Sequence, residues 1–330
     1  MLRELPSQRG VAVENNKVSH AVLALDEARH EHLEWGAFGV VSRWEKAGSH
    51  FYATELRFCV PGLATLQAFV LGRHTQSDLR MIPYSAQRHA LILCWPPYED
   101  HPPFIEAIDL FTTVGLGAPG GERLTHVAGE GYLRFCTGPA HTIVFFAPAG
   151  KAFSEVLKEN YSYDVTASGM DPIFPFSGQL KGEELARQVK PHVASNSPSL
   201  ISVDKHGNID DQFAEKTRNG GHPVVLPVRR DDLFRGLMIG RHERCPGYQS
   251  FSQNSEVSRL HYCLISRRGQ LWAIDSGSTN GTRIIQSNND VHRLNHRQRA
   301  WLLGPNDITC IGGRDIYLGL PVQDYQSVTI

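Results

Sequence analysis

Two short segments in the last third of the chain carry groups suited to holding an anion: Gly240-Arg241, then Ser258-Arg259-Leu260-His261. Arginine presents a planar fork of donors that grips a phosphate bidentately, which a lysine ammonium cannot do. A serine hydroxyl adds one more donor. Placed at strand ends, one serine and two arginines form a compact polar concavity, and loops on a rigid scaffold are where binding residues normally sit. Fourteen residues beyond His261 comes Asp275-Ser-Gly-Ser-Thr-Asn-Gly-Thr282, a run of turn-forming residues.

Other chemistries fit the same residues less well. Ser258, His261 and Asp275 are the residue types of a hydrolase triad, but that needs a serine on a sharp nucleophile turn, and no Gly-x-Ser-x-Gly occurs. His30-Glu-His32-Leu-Glu34 has neither the HExxH spacing nor the i, i+4 pair of a helical metal site, so no metal or cofactor is expected. The glycine-rich Gly115–Gly121 lacks the Gly-Lys-Ser/Thr ending of a P-loop and reads as a hairpin loop. Nothing resembles a kinase catalytic loop, and the expectation is a protein that is not an enzyme.

The elements that would position these groups are strands. Leu233–Ile239, Tyr262–Ser266, Leu271–Ile274, Arg283–Ile285, Arg299–Leu303, Asp307–Ile311 and Asp315–Leu320 read as short strands. They are separated by turn chemistry such as Arg268-Gly269, Asn280-Gly281 and Gly312-Gly313. Closely spaced strands without intervening helices argue for a sandwich. From Val224 onward there are thirteen Arg, no Lys and nine Asp+Glu, a net charge of +4 by subtraction.

The whole chain is long enough, at 330 residues, for two domains. With 33 Lys+Arg against 34 Asp+Glu, no global field favours nucleic acid or a membrane surface. Six cysteines (59, 94, 136, 245, 263, 310) form no CxxC pair, and buried free thiols explain them better than a disulfide framework. With no apolar leader and no stretch of spanning length, a cytoplasmic protein is expected.

In order and spacing, Gly240-Arg241, Ser258–His261 and Ser278-Thr279-Asn280-Gly281 resemble the forkhead-associated (FHA) domain, a β-sandwich that binds phosphothreonine peptides. The resemblance covers 224–330. It implies that Arg241 grips the phosphate, that the Ser258 hydroxyl donates to a phosphate oxygen and that Arg259 lies close by with further donors. It implies that Asn280 bonds the peptide backbone while Thr279 shapes the site near the threonine methyl. His261, Asp275 and Ser278 would brace the loops, with Gly240 before the arginine and Gly281 supplying a positive φ. Ile285-Gln286 stands where the family often has Asn-Gly. The implied partner is a phosphothreonine-containing protein, a Ser/Thr kinase or its substrate.

The motif has an echo. Gly72-Arg73-His74 parallels Gly240-Arg241-His242, and Ala86–His89 stands where Ser258–His261 does. Glu106–Gly115 runs parallel to Trp272–Gly281. The expected architecture is therefore all-β: two FHA-like sandwiches, 51–148 and 224–330, joined by a partly helical connector over 149–223, with 1–50 as an N-terminal extension packed on the first. Helices are expected at Ala24–Trp35, Lys151–Asn160 and Gly182–His192, and a strand at Phe38–Ser42. In the first copy, Arg73 and Thr113 persist. However, Ala86 replaces the serine, Val114 replaces the asparagine, and Ser85 is one residue out of place, so ordinary phosphothreonine recognition is expected to be lost there. A scaffold, a homodimer surface or a binder of unmodified protein is the alternative use of that copy. For the whole protein the alternative is a phosphorylation-independent scaffold.

Overall fold

A computed structural model describes residues 13–14, 18–46, 49–59, 65–81, 86–117, 123–160, 199–203, 225–228, 230–252, 254–312 and 316–319. The chain divides into two compact units, Met1–Val189 and Lys190–Ile330. Strands dominate both, arranged as two sheets per unit, as expected of an all-β protein. Among the described residues no helix is long and apolar enough to cross a membrane, and all six cysteines are buried with none in a disulfide.

The first unit runs β1 (Val13–Glu14), α1 (Val18–Arg29), β2 (Ala37–Lys46), β3 (Ser49–Phe58), β4 (Gln67–Gly72), β5 (Leu79–Arg80), β6 (Ala90–Trp95), β7 (Phe104–Asp109), β8 (His126–Glu130), β9 (Tyr132–Thr137), β10 (Ala140–Ala147) and α2 (Phe153–Asn160). One sheet has the order β1-β3-β2-β10-β9 and the other β5-β4-β6-β7-β8. All pairings are antiparallel except β4 with β5. Phe38, Val40 and Trp44 of β2 meet Phe69, Leu71, Ile92 and Ile105 in the core between the sheets. The alternate residues of β2, Ala37 and Val41, join Val22 and Leu25 of α1 and Phe153 and Leu157 of α2 in a second apolar cluster. Both faces of β2 are therefore covered. The glycine at 39 permits this close approach, because a Cβ there would lie 2.9 Å from both Leu25 and Phe153 side-chain atoms.

Residues 18–46 are thus part of the first sandwich and not an extension laid on it. β2 lies between β3 and β10, with ten paired residues to β3, and a boundary at 51 cuts that hairpin. The N-terminal helix ends at Arg29, followed by a 3-10 turn at His30–His32, so it lies several residues earlier than Ala24–Trp35. Its register is set by tertiary bonds. Buried Arg29 donates to the carbonyls of Trp35 (2.6 Å), Pro148 (2.8 Å) and Lys151 (2.6 Å). Asp26 accepts the Phe153 and Ser154 N–H groups at the start of α2.

The second unit runs β11 (Ser199–Val203), β12 (Val225–Pro227), α3 (Arg230–Arg235), β13 (Leu237–Ile239), α4 (Tyr248–Phe251), β14 (Tyr262–Arg267), β15 (Gln270–Asp275), β16 (Thr282–Ile285), β17 (Val291–Leu294), β18 (Ala300–Leu302), β19 (Ile308–Ile311) and β20 (Ile316–Gly319). Its sheets are β12-β11-β20-β19-β16-β17 and β13-β14-β15-β18. Leu237, Tyr262, Leu264 and Ala273 from one sheet meet Ile284, Ile311 and Leu318 from the other. The expected strand Leu233–Ile239 is split: its first residues finish α3, and only Leu237–Ile239 pairs with β14. Nor does the unit begin at 224, because β11 sits between β12 and β20. Of the expected helical connector, Phe153–Asn160 is a helix, and Gly182–His192 lies outside the described residues.

The internal repeat is visible in the topology. β3-β2-β10-β9 in the first unit has the order of β12-β11-β20-β19 in the second, and β4-β6-β7-β8 that of β13-β14-β15-β18. The main difference is β16–β17, which the first unit reduces to isolated bridges, Leu116↔Leu124 and Gly117↔Cys136.

Candidate functional site

The loops after β13, before β14 and after β15 meet at one end of the second sandwich. Arg241 follows β13, and its N–H donates to the Ser258 carbonyl (3.2 Å) while His242 N–H donates to the Arg259 carbonyl (2.9 Å). This backbone pairing explains Gly240. A Cβ there would stand 2.4 Å from the Arg259 oxygen and 2.8 Å from that of Ser258, so only glycine lets the two segments close.

Arg241 is solvent-exposed but not loose, because its Nε donates to the Val257 carbonyl at 2.8 Å and aims the terminal amino groups. Ser258 is 8% exposed. Its Oγ accepts the Thr279 N–H at 3.0 Å, which occupies a lone pair and leaves the hydroxyl proton available for donation. Arg259 is exposed beside it. Among the described residues no carboxylate pairs with Arg241 or Arg259. The side chain of Asn280 donates to the Glu256 carbonyl (2.8 Å), keeping a second N–H and its oxygen for other partners. Thr279 is exposed at the tip. The five residues expected to bind are thus joined through one short segment, 256–259.

The bracing residues lie beneath. His261 is fully buried; its Nδ1 accepts the Ser258 N–H (3.0 Å) and its Nε2 bonds the Gly281 carbonyl (3.0 Å), which fixes the proton on Nε2. Both ring nitrogens are therefore spent on backbone, and the Ser258 hydroxyl has no imidazole base. Asp275 accepts five donors: the N–H groups of Gly277 and Ser278, the hydroxyls of Ser278 and Thr282, and Arg299 Nη1. Gly281 has φ +77°, as the turn requires. His242 is pushed below its ordinary value by burial, then by the Arg259 and Arg244 charges, with Glu243 opposing. Its Nδ1 accepts the Arg244 backbone N–H.

Some contributors were not legible from residue types. Val257 and Glu256 act through carbonyls, which any residue supplies. Arg299 is buried against Asp275, and Arg293 donates to the Asn280 carbonyl (3.2 Å) from the neighbouring strand β17. In sequence these arginines look like the rest of an arginine-rich segment.

The first unit repeats much of this frame. Arg73 and His74 N–H groups donate to Ala86 and Gln87 carbonyls. A Cβ on Gly72 would meet the Gln87 oxygen at 2.4 Å. His89 Nε2 bonds the Gly115 carbonyl (3.0 Å), Asp109 accepts the Thr112 N–H and hydroxyl, and Gly115 has φ +73°. What differs is the equipment at the rim. Ala86 has no hydroxyl, and Val114, 52% exposed, takes the place of Asn280. Ser85 lies outside the described residues. His89 Nδ1, whose counterpart accepts the Ser258 N–H, is buried without a partner.

No known protein-family model matches this chain, and a search of curated proteins finds no similar sequence.

Proposed function

We propose that this protein is a phosphothreonine-peptide-binding adaptor of Ser/Thr kinase signalling, built on the FHA pattern, with the second unit as the reader. Arg241, Ser258 and Arg259 hold the phosphate, Asn280 pairs with the peptide backbone, and Thr279 lines the threonine methyl. The partner is a phosphothreonine-containing protein, either a Ser/Thr kinase or its substrate. Six buried thiols, none in a disulfide, are compatible with a reducing cytoplasm.

One observation carries the reading: the site is preorganised for an anion. The Arg241 guanidinium is pinned through Nε, with no carboxylate on its terminal amino groups among the described residues, next to a serine whose oxygen already accepts one bond and whose proton is available. Such a site gains charge-assisted bonds with little ordering cost. The first unit keeps the frame but lacks the serine hydroxyl and the asparagine amide, so phosphothreonine reading belongs to the second.

Matched phosphothreonine, phosphoserine and unmodified peptides, titrated against wild type and Arg241→Ala, test the reading. Phosphothreonine should bind best. Arg241→Ala should weaken it about 10- to 100-fold, corresponding to one charge-assisted contact of about 1.5–3 kcal/mol. Equal binding of phosphorylated and unmodified peptides would instead support a scaffold that needs no phosphorylation.

A further inference from the structure

We propose that Arg293 takes an acidic side chain of the bound phosphothreonine peptide beside Asn280, a role that rests on the phosphothreonine reading of the second unit. Arg293 reaches the site from β17, and its Nη2 donates to the Asn280 carbonyl at 3.2 Å. Its Nε lies 3.2 Å from where a Cβ on Gly281 would stand, so the guanidinium lies against the Asn280–Gly281 turn. A peptide bonded to the Asn280 side chain therefore passes beside it. Arg293 is exposed, and among the described residues no carboxylate pairs with it. One bond to a carbonyl leaves most of the guanidinium donors available. Arg283, its partner across β16–β17, donates to Cys310 Sγ and takes no part in the proposed contact.

The first unit indicates that the frame itself needs one arginine at this turn. There Arg123 lies against the turn glycine, its Cγ 2.4 Å and its Nε 3.1 Å from a Cβ placed on Gly115. Arg123 Nη2 donates to the Thr112 carbonyl and stands 3.8 Å from Asp109 Oδ2, so its charge serves the buried carboxylate. In the second unit that duty falls to Arg299, 3.4 Å from Asp275. Arg299 stands where the first unit has Thr125, since each carbonyl accepts the N–H of the buried aspartate. With Asp275 paired in this way, Arg293 is a second cation at the turn, set against the same kind of glycine but without a carboxylate. On the proposed reading the phosphate belongs to Arg241, Ser258 and Arg259. The group left for Arg293 is a side-chain carboxylate, which a guanidinium fork matches bidentately.

The probes are fluorescein-labelled, alanine-based phosphothreonine peptides, titrated by anisotropy on the full chain. One Glu is walked through the flanking positions, with Gln at the same position as control. Where the position reaches Arg293, Glu should bind about three- to fivefold tighter than Gln, as for an exposed ion pair near the upper end of its usual range. Arg293→Gln keeps a donor for the Asn280 carbonyl but no charge, and the Glu-to-Gln ratio at that position should fall to about one. Arg293→Glu should reverse the preference, so that Lys there binds better than Glu. An arginine that only braces the turn would change all the peptides alike and leave the ratio standing. A ratio unchanged in Arg293→Gln would therefore overturn the proposal, and so would a Glu gain equal at every position, the mark of diffuse attraction. Arg241-dependent binding of the Gln peptides with no Glu gain anywhere would overturn the role of Arg293 alone. If phosphorylated and unmodified Gln peptides bind alike, the phosphothreonine reading fails, and the role of Arg293 fails with it.

Discussion

Asp275 is the test of whether the loop carrying Thr279 and Asn280 is held by a single carboxylate. It is 2% exposed and accepts two backbone N–H groups, two hydroxyls and one guanidinium nitrogen. In Asp275→Ala the hydroxyls can rotate to other partners, but the Gly277 and Ser278 N–H groups cannot. Each buried unsatisfied donor costs about 1–3 kcal/mol. Loss of the carboxylate opposite Arg299, at 3.4 Å and itself 3% exposed, adds a charge-assisted bond of about 1.5–3 kcal/mol. The total, about 3.5–9 kcal/mol, is comparable with the whole stability of a small domain. Asp275→Asn keeps one oxygen for the two N–H groups, and both hydroxyls can turn to accept from its amide. Only the charge is lost, at about 1.5–3 kcal/mol. Adding Arg299→Met to Asp275→Ala removes the cation that faced the lost carboxylate, so the pair should be less damaging than the sum of the singles. The assay is urea unfolding, with hydrogen exchange at Gly277 and Ser278 isolating the second unit, since a chain of two units need not unfold in one step. An Asp275→Ala within about 1 kcal/mol of wild type, or Asp275→Asn more damaging than Asp275→Ala, would refute the reasoning.

Four further outcomes follow from the geometry. Burial pushes His89 below its ordinary value, with its bond to Gly115 and the Asp109 charge opposing. The unfolded state therefore binds more protons, and stability of the first unit should fall as pH drops below about 6.5, by at most about 1.4 kcal/mol per pH unit from this group. Urea midpoints between pH 5 and 7.5, with and without His89→Asn, check this; His74 and His141 shift in the same direction and will leave a residual slope. Gly240→Ala must push apart two backbone segments whose oxygens stand 2.4 and 2.8 Å from the new methyl, so it should cost about 1–3 kcal/mol and weaken phosphopeptide binding together with stability. Arg29→Ala strands three carbonyls and should expose α1 to protease, measured by limited proteolysis. Finally, none of the six thiols should react rapidly with a disulfide reagent in the native chain, and all six should react in denaturant.

How much was legible depends on where the signal resides. Short strands flanked by Gly-containing turns were readable because turn chemistry is local: Arg268-Gly269 closes β14–β15, with both residues at positive φ. Leu233–Ile239 misled because its apolar pattern is shared by the end of a short helix and a three-residue strand. The first sandwich was cut at 51 because β2 is covered on both faces and shows no clean alternation, its outer face being closed by α1 and α2, which lie about 20 residues before it and 110 after it. β11 is separated from β12 by more than 20 residues, so its place in the sheet is a long-range fact that no local pattern carries.

The site divides the same way. Gly240, His261, Asp275 and Gly281 are dictated by backbone geometry, and that geometry recurs at Gly72, His89, Asp109 and Gly115. A frame that recurs in both units while the rim differs fits the proposal above, in which the frame holds the fold and the rim chooses the ligand. Ser258 and Asn280 in one unit, Ala86 and Val114 in the other, are substitutions that leave the shared bonds standing. Transplanting the rim should then move the activity. Ala86→Ser with Val114→Asn in the first unit should create phosphothreonine binding that persists in Arg241→Ala and is lost on adding Arg73→Ala. If the transplanted chain with Arg241→Ala folds but binds no phosphopeptide, the frame is not sufficient, and the unpartnered His89 Nδ1 marks where it fails. In the second unit that same nitrogen accepts the Ser258 N–H and sets the serine's position.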